Sequence, residues 1–399
     1  MHTDLKTNNS LVVSLFIICF LVVISMVNVR NDFVSSLFSL SFVLLLALWI
    51  INLPNGGGRW DKSVLFIALL SFLNICISAI LSNSPISFEY SKKCIFFIFA
   101  LVLFSLSPRI RLTPFSQNFI LIGIQILSVF LFYSYYTKGE TMYIRDDMIS
   151  PYLTMNMTNS NITGMFLFCV ALFDYFGFRL LKNKLFKITS IVLFAAISWM
   201  VVLTGARNCM IALVAFIVFQ VIVFFRKHKA SIPRWVLITA VLFPLIFAII
   251  YMSVIDILVK DNLFSFMVMD GKELNSREHI WKESFNYIFQ YPITGAYSQR
   301  SDGTGWSQAH NTHIEILVSY GIIVFCLTIR QIYKILSYFQ RLHTDSLHQM
   351  FVWGFIAILF IGFGEAALFV GTSGLYILGG LLLIFANSHL INEKTKIQS

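Results

Sequence analysis

Long runs of apolar residues alternate with short polar connections along most of the chain. Most runs approach the ~20 residues that an α-helix needs to cross the hydrocarbon core of a bilayer. They are continuously apolar and lack the period-two alternation of a transmembrane strand, which favours helices over a barrel. The runs cover 11–29, 33–53, 63–81, 93–106, 117–136, 161–180, 186–204, 208–225, 235–255, 312–338, 349–370 and 372–390. The pattern predicts an all-α, polytopic membrane protein of about 12 transmembrane helices, with residues 1–399 forming a single integral membrane domain.

Composition agrees with this class, since 58% of residues are hydrophobic and only 12% are charged, against about 25% charged residues in soluble proteins. A net charge of +10 would suggest nucleic acid in a soluble protein. Here the excess of lysine and arginine fits cytoplasmic loops, so we expect no nucleic-acid partner. The six cysteines lie in apolar runs without a CxxC pair, which indicates small core residues.

Basic residues cluster on alternate connections, and this alternation predicts a cytoplasmic N-terminus. The clusters are Arg59 and Lys62; Arg109 and Arg111; Arg179, Lys182, Lys184 and Lys187; and Arg226, Lys227, Lys229 and Arg234. Lys92 and Lys93 are the exception, because they fall on an expected outer connection. The same count places a first loop, 137–160, and a large loop, 256–311, on the periplasmic side. We expect the large loop to carry short helices.

The segment 275–321 is the longest polar interruption of the apolar pattern. Arg277, Trp281 and Phe285 recur at helical spacing and share one face, which is apolar apart from the arginine. A guanidinium in that position must reach water or find an anion, because an unpaired buried charge is costly. His310 and Asn311 stand directly before the next apolar run. The segment is therefore predicted to deliver an arginine and a histidine to the membrane surface.

Three further charged residues are candidates, each with a plainer alternative. Arg207 follows the tight turn Leu203-Thr-Gly-Ala, where a helix N-terminus and a guanidinium together suit a phosphate, although it is equally placed to be an interfacial anchor. Arg145 lies in the first outer loop, which is otherwise interpreted as a solvated connection. Glu365 falls in an apolar run, and charged residues inside spans are functional suspects. The alternative is that Glu365 lies in the outer turn between the last two helices, where its charge would need no functional explanation.

Three segments together, LTGARNCMIAL, NSREHIW…YPITGAYS and AHNTHIEILVSYGII, resemble the bacterial O-antigen ligase and polymerase superfamily. The resemblance covers about 200–325 and includes a His-Asn pair followed by Gly321. It implies a metal-independent, inverting glycosyltransferase of the bacterial inner membrane, without a cofactor and with its active site facing the periplasm. The implied donor is a glycan on undecaprenyl diphosphate, and the acceptor is a lipid-linked repeat unit for a polymerase or lipid A-core for a ligase. A chain-length regulator protein is a further expected partner.

Chemistry assigns roles to these residues. The leaving diphosphate needs positive charge, which Arg207 and Arg277 supply. The acceptor hydroxyl needs a base, for which neutral His310 is the first candidate and His313 the second. The remaining substrate-binding candidates are Asn311, which otherwise caps a helix, Glu315, Trp281 and Arg145. The asparagine-rich segment MTNSNITG and the modest length of the loop 256–311 favour a polymerase. A ligase is the alternative. A transporter is the third possibility, but it would leave the His-Asn motif unused.

Overall fold

The computed structural model describes residues 61–81, 83, 88–109, 112–138, 142–145, 148–153, 155, 160–225, 232–260, 277–296, 309–341, 346–365 and 379–388. The predicted spans 11–29 and 33–53 lie outside the described residues. The helices are α1 Lys62–Leu81, α2 Phe88–Leu106, α3 Pro114–Lys138, α4 Ser160–Leu180, α5 Lys184–Leu203, α6 Arg207–Phe225, α7 Arg234–Lys260, α8 Arg277–Gln290, α9 Thr312–Arg341, α10 Ser346–Ile361 and α11 Gly379–Ser388. A short 3-10 turn, Ser107–Arg109, follows α2.

Within the described residues, seven helices are long and apolar enough to cross a membrane: α1, α3, α4, α5, α6, α7 and α9. Shorter apolar stretches occur in α2, α10 and α11. The prediction of a polytopic helical membrane protein is therefore confirmed, while the count of 12 and the orientation stay predictions. One element departs from helix, an antiparallel hairpin of β1 Met142–Arg145 and β2 Met148–Leu153 in the first predicted outer loop. Its tyrosines and isoleucines suit a pleated surface.

Helices α4 and α9 form the centre of the bundle. Of their spanning windows, 78% and 72% of residues are buried, against 28–44% for the other five spanning helices. Aromatic rings fill the space around α4, where Phe176 packs against Phe351, and Phe173 meets Phe385 edge to face. The helices that expose apolar side chains therefore surround a dense aromatic core, as expected where the outer surface faces lipid.

Helix α1 runs antiparallel to α9 and is fixed to it at two levels. Near the start of α1, Asp61 accepts hydrogen bonds from Gln331 Nε2 (2.9 Å) and Lys334 Nζ (3.0 Å). Further along, Asn74 Nδ2 donates to Tyr320 O (2.7 Å). Burial by itself would raise the pKa of Asp61. The hydrogen bonds from Gln331 and Lys334 outweigh burial, so the pKa of Asp61 lies below its usual value.

Helix α9 connects the two ends of the bundle. Thr312 begins this helix, and Lys334, beside Asp61, lies near its other end. The Gln340 side chain donates to Ile232 O, just before α7 begins. The starts of α1 and α7 therefore lie at the Lys334 end, and the residues before Thr312 lie at the opposite end.

Helix α9 is interrupted at Gly321, which has φ 77° and ψ 173°. A Cβ there would lie 2.5 Å from the carbonyl carbon of Ile293 and closer still to its oxygen. Ile322 N donates to Pro292 O at 2.8 Å, which joins α9 to the turn that follows α8. Gly321 therefore allows the close approach of α9 to this turn.

Candidate active site

Helix α8 carries Arg277 and Trp281 inward on its apolar face, as the spacing predicted. Trp281 is only 1% exposed and packs edge to face on Tyr251, while its indole Nε1 donates to Ala309 O at 2.8 Å. Arg277 is buried as well, and its Nη2 donates to Glu365 Oε1 at 2.6 Å. Of the two predicted alternatives for the guanidinium, water or an anion, the structure has an anion, which is the carboxylate of Glu365.

Glu365 joins three distant segments of the chain. Its Oε1 accepts hydrogen bonds from Arg277 Nη2 and from Asn161 Nδ2 (2.7 Å), at the start of α4. Its Oε2 lies 3.2 Å from His310 Nδ1. The carboxylate is buried, and every one of these contacts is with a nitrogen that can donate a hydrogen bond.

His310 stands in the left-handed region with φ 48°, a conformation that costs a non-glycine residue on the order of 1–3 kcal/mol. The backbone around it is held by the segment that carries Glu365. Thr312 N donates to Gly362 O at 2.9 Å, and Thr312 Oγ1 donates to Glu365 O at 3.0 Å. The His310 side chain remains 30% exposed, so the ring is partly accessible to solvent although its Nδ1 contacts Glu365.

Asn311 caps α9, which is the plainer of its two predicted roles. Its Oδ1 accepts from His313 N (2.9 Å) and Ile314 N (3.1 Å), as an N-cap side chain does. Its Nδ2 donates to Pro244 O and Phe363 O. Since the side chain is fully buried, a direct substrate contact by Asn311 stays a prediction without support from this geometry.

His313 is the weaker of the two candidate bases. Its Nε2 lies 2.7 Å from Val241 O, and because a carbonyl only accepts, Nε2 must carry the proton. Its Nδ1 is buried and has no hydrogen-bond partner among the described residues. The basic nitrogen of His313 therefore faces the protein interior, which favours His310.

Glu315 and Trp281 both hold Ala309, the residue before His310. Glu315 Oε2 accepts from Ala309 N at 2.6 Å, and Trp281 donates to Ala309 O. Both side chains are buried. Substrate contacts by Glu315 and Trp281 stay predictions, because each side chain would have to become exposed to make them.

The turn that contains Arg207 lies beside the segment that carries Glu365. Arg207 begins α6 and is half-buried. The next residue, Asn208, packs its side chain against Gly364, where a Cβ would lie 2.6 Å from Asn208 Cγ. On the other side, the ring of Tyr152 from β2 covers Gly205 so closely that a Cβ would overlap it. Arg145 pairs through its backbone with Met148 at the end of the hairpin, and its side chain lies outside the described structure.

Two contributors to the site were not assigned from the sequence. Glu365 was noticed as a charge in an apolar run, but its partners were not. Asn161 belongs to the asparagine-rich run before α4, and nothing local marks it as a carboxylate ligand. Within the described part of the chain, no three His, Cys, Asp or Glu side chains group as metal ligands; metal independence stays a prediction.

The fold and these contacts define a polytopic helical membrane protein in which a buried arginine–carboxylate pair contacts a partly exposed histidine at one end of the bundle. Residues 191–329, about a third of the chain, match the family model of the O-antigen ligases. The match supports the resemblance to the O-antigen ligase and polymerase superfamily. Comparison with curated proteins gives no match. The matched segment contains Arg207, Arg277 and His310 but neither Asn161 nor Glu365.

Proposed function

We propose that the protein is a glycosyltransferase of the periplasmic face of the bacterial inner membrane. It moves an undecaprenyl-diphosphate-linked glycan to a sugar hydroxyl, and we favour polymerisation of repeat units. The observation that carries the proposal is the convergence of Arg277 and His310 on Glu365, beside the Arg207 turn. A ligase that uses lipid A-core as acceptor is the second candidate, because the matching family model bears that name.

The chemistry requires a cation for the leaving group and a base for the acceptor. In our proposal the acceptor oxygen attacks the anomeric carbon, the bond from that carbon to the phosphate oxygen breaks, and undecaprenyl diphosphate departs. Arg277 uses one of its five N–H donors on Glu365, which leaves others for the diphosphate. Arg207 provides the second cation beside a helix N-terminus. The hydroxyl proton passes to the open nitrogen of His310.

Basic residues at the other end of the bundle support the proposed orientation. Lys62, Arg234 and Arg341 stand at the ends of α1, α7 and α9 that lie away from His310. By the positive-inside rule these ends belong in the cytoplasm, which directs the His310 end to the periplasm. In a cysteine-free background, a cysteine replacing the exposed Lys282 on α8 should react with a reagent that cannot cross membranes. One replacing the exposed Lys184 should stay protected, and the reverse pattern would contradict the orientation.

The activity is tested with purified protein, purified lipid-linked donor and EDTA in the buffer. His310→Ala should lower the transfer rate by about 10²–10⁴-fold, the range for a general base. Arg277→Ala should cost about 2–4 kcal/mol of transition-state stabilisation, and Arg277→Lys should recover only part of it. The control is His279→Ala, an exposed histidine on α8, which should transfer normally.

The same assay separates the two candidates through the acceptor. A polymerase extends a lipid-linked repeat unit, whereas a ligase requires lipid A-core. Near-normal turnover by His310→Ala would contradict the catalytic role of His310. Loss of wild-type activity on chelation would contradict metal independence, and absence of transfer to either acceptor would contradict the proposed function.

A further inference from the structure

Glu365 divides its contacts between its two oxygens in a way that bears on the proton of His310. Both donors, Arg277 Nη2 at 2.6 Å and Asn161 Nδ2 at 2.7 Å, are on Oε1. Oε2 is left for His310 Nδ1, at 3.2 Å. With the two donors fixing one oxygen, rotation of the carboxylate is restricted and the second oxygen is held towards the imidazole.

We propose that Glu365 is a positioning residue that selects the tautomer of His310, keeping the proton on Nδ1 so that Nε2 is the nitrogen that receives the acceptor's proton. This rests on the function proposed above. An ionised carboxylate only accepts hydrogen bonds, so Nδ1 must donate to it. In a neutral imidazole the lone pair is then on Nε2.

The surroundings of the ring agree with this assignment. The His310 side chain is 30% exposed, against 7% for Glu365, so the ring is partly accessible to solvent while its carboxylate partner is not. No hydrogen bond to His310 Nε2 occurs within the described residues. His313 provides the contrast, because the carbonyl of Val241 requires its proton on Nε2. The two neighbouring histidines are thus set in opposite tautomers by their partners.

Asn161 is the second positioning residue in this arrangement. It reaches Glu365 across 204 positions of sequence and contributes no charge. Its amide therefore acts on the carboxylate as an orienting hydrogen-bond donor. Mutating the residues that hydrogen-bond a metal-bound histidine typically lowers activity by about 10–100-fold. We expect a loss at the lower end of that range for Asn161→Ala.

The substitution Glu365→Gln tests the assignment with little change in shape. The glutamine oxygen must take the Oε1 side, because both Arg277 and Asn161 donate there. Its NH₂ group then occupies the Oε2 side and donates to Nδ1, which forces the His310 proton onto Nε2. We expect the transfer kcat to fall by about 10²-fold or more, with the KM for the lipid-linked donor changed much less. Glu365→Asp, which keeps the acceptor character, should recover part of the loss.

The decisive readout is ¹⁵N spectroscopy of histidine-labelled protein at a pH where the ring is neutral, with His310 assigned by its absence in His310→Gln. The wild type and Asn161→Ala should show the Nδ1–H tautomer, and Glu365→Gln should show Nε2–H. Glu283→Gln, which removes a half-buried carboxylate on α8, should change neither tautomer nor rate.

An Nε2–H tautomer of His310 in the wild type would overturn the proposal, as would normal kcat in Glu365→Gln. If Glu365→Gln does not fold, the wild-type and Asn161→Ala spectra still decide the tautomer. A wild-type protein with the Nδ1–H tautomer but no transfer to any acceptor would refute the proposed function and leave the tautomer assignment standing.

Discussion

The junction between α9 and the turn after α8 is expected to fail when Gly321 is replaced by alanine. Gly321 adopts φ 77° and ψ 173°, a region that is essentially restricted to glycine. An added Cβ would collide with the Ile293 carbonyl, which is backbone and has no flexible end to move away. The substitution therefore forces the turn away from α9.

The strained backbone at position 321 and the hydrogen bonds broken at the junction set the expected cost. The unfavourable backbone conformation costs on the order of 1–3 kcal/mol. Two backbone hydrogen bonds cross the junction, Ile322 N to Pro292 O and Ala296 N to Val318 O, both at 2.8 Å, and each contributes about 1 kcal/mol. The expected loss is about 3–5 kcal/mol, a large share of the ~5–15 kcal/mol by which proteins are usually stable.

Thermal unfolding in detergent measures this loss, followed with a thiol-reactive dye that reports exposure of the buried Cys94, Cys169 and Cys209. The matched control is Gly379→Ala in α11, where the nearest atom would lie 3.5 Å from the new Cβ, an ordinary van der Waals separation. Gly379→Ala should change stability by less than about 1 kcal/mol. Equal midpoints for the two variants would refute the steric argument at Gly321.

Three further predictions concern the site and the opposite end of the bundle. Arg277→Met should cost about 3 kcal/mol in the same unfolding assay, because it leaves Glu365 buried without its cation; adding Glu365→Gln should restore part of the loss, and a further loss would contradict the ion-pair explanation. Asn311→Ala should cost about 2–3 kcal/mol, because the helix cap and the hydrogen bonds to two carbonyls disappear, whereas Asn311→Ser, which keeps an oxygen that can cap the helix, should lose less, and equal losses would show that the cap does not matter. Asp61 has a lowered pKa, so its contribution is complete above about pH 4 and is lost as the pH falls through the lower folded-state value; the unfolding free energy of Asp61→Asn should depend less on pH in that range, and an unchanged dependence would contradict this.

The class of protein and most of its helices could be predicted from the sequence, because the length and uniformity of an apolar run are local properties. Arg277 and His310 were also recognisable, since a charged or titratable residue beside an apolar face is costly unless it has a partner or a function. The hairpin was not predicted, as strand pairing depends on two short segments meeting, and hydropathy does not report that.

Tertiary structure alone decided how the candidate site is assembled. Glu365 meets Arg277 across 88 positions and Asn161 across 204, and an apolar pattern states which face is buried without stating which distant side chains meet there. The choice between His310 and His313 has the same origin. His310 precedes the apolar run 312–338 and His313 lies at its start, but a carbonyl of α7 engages the ring of His313 and a carboxylate engages that of His310. Because an imidazole's reactive nitrogen is set by the hydrogen bond at its opposite nitrogen, only the folded partners determine which histidine presents a lone pair outward.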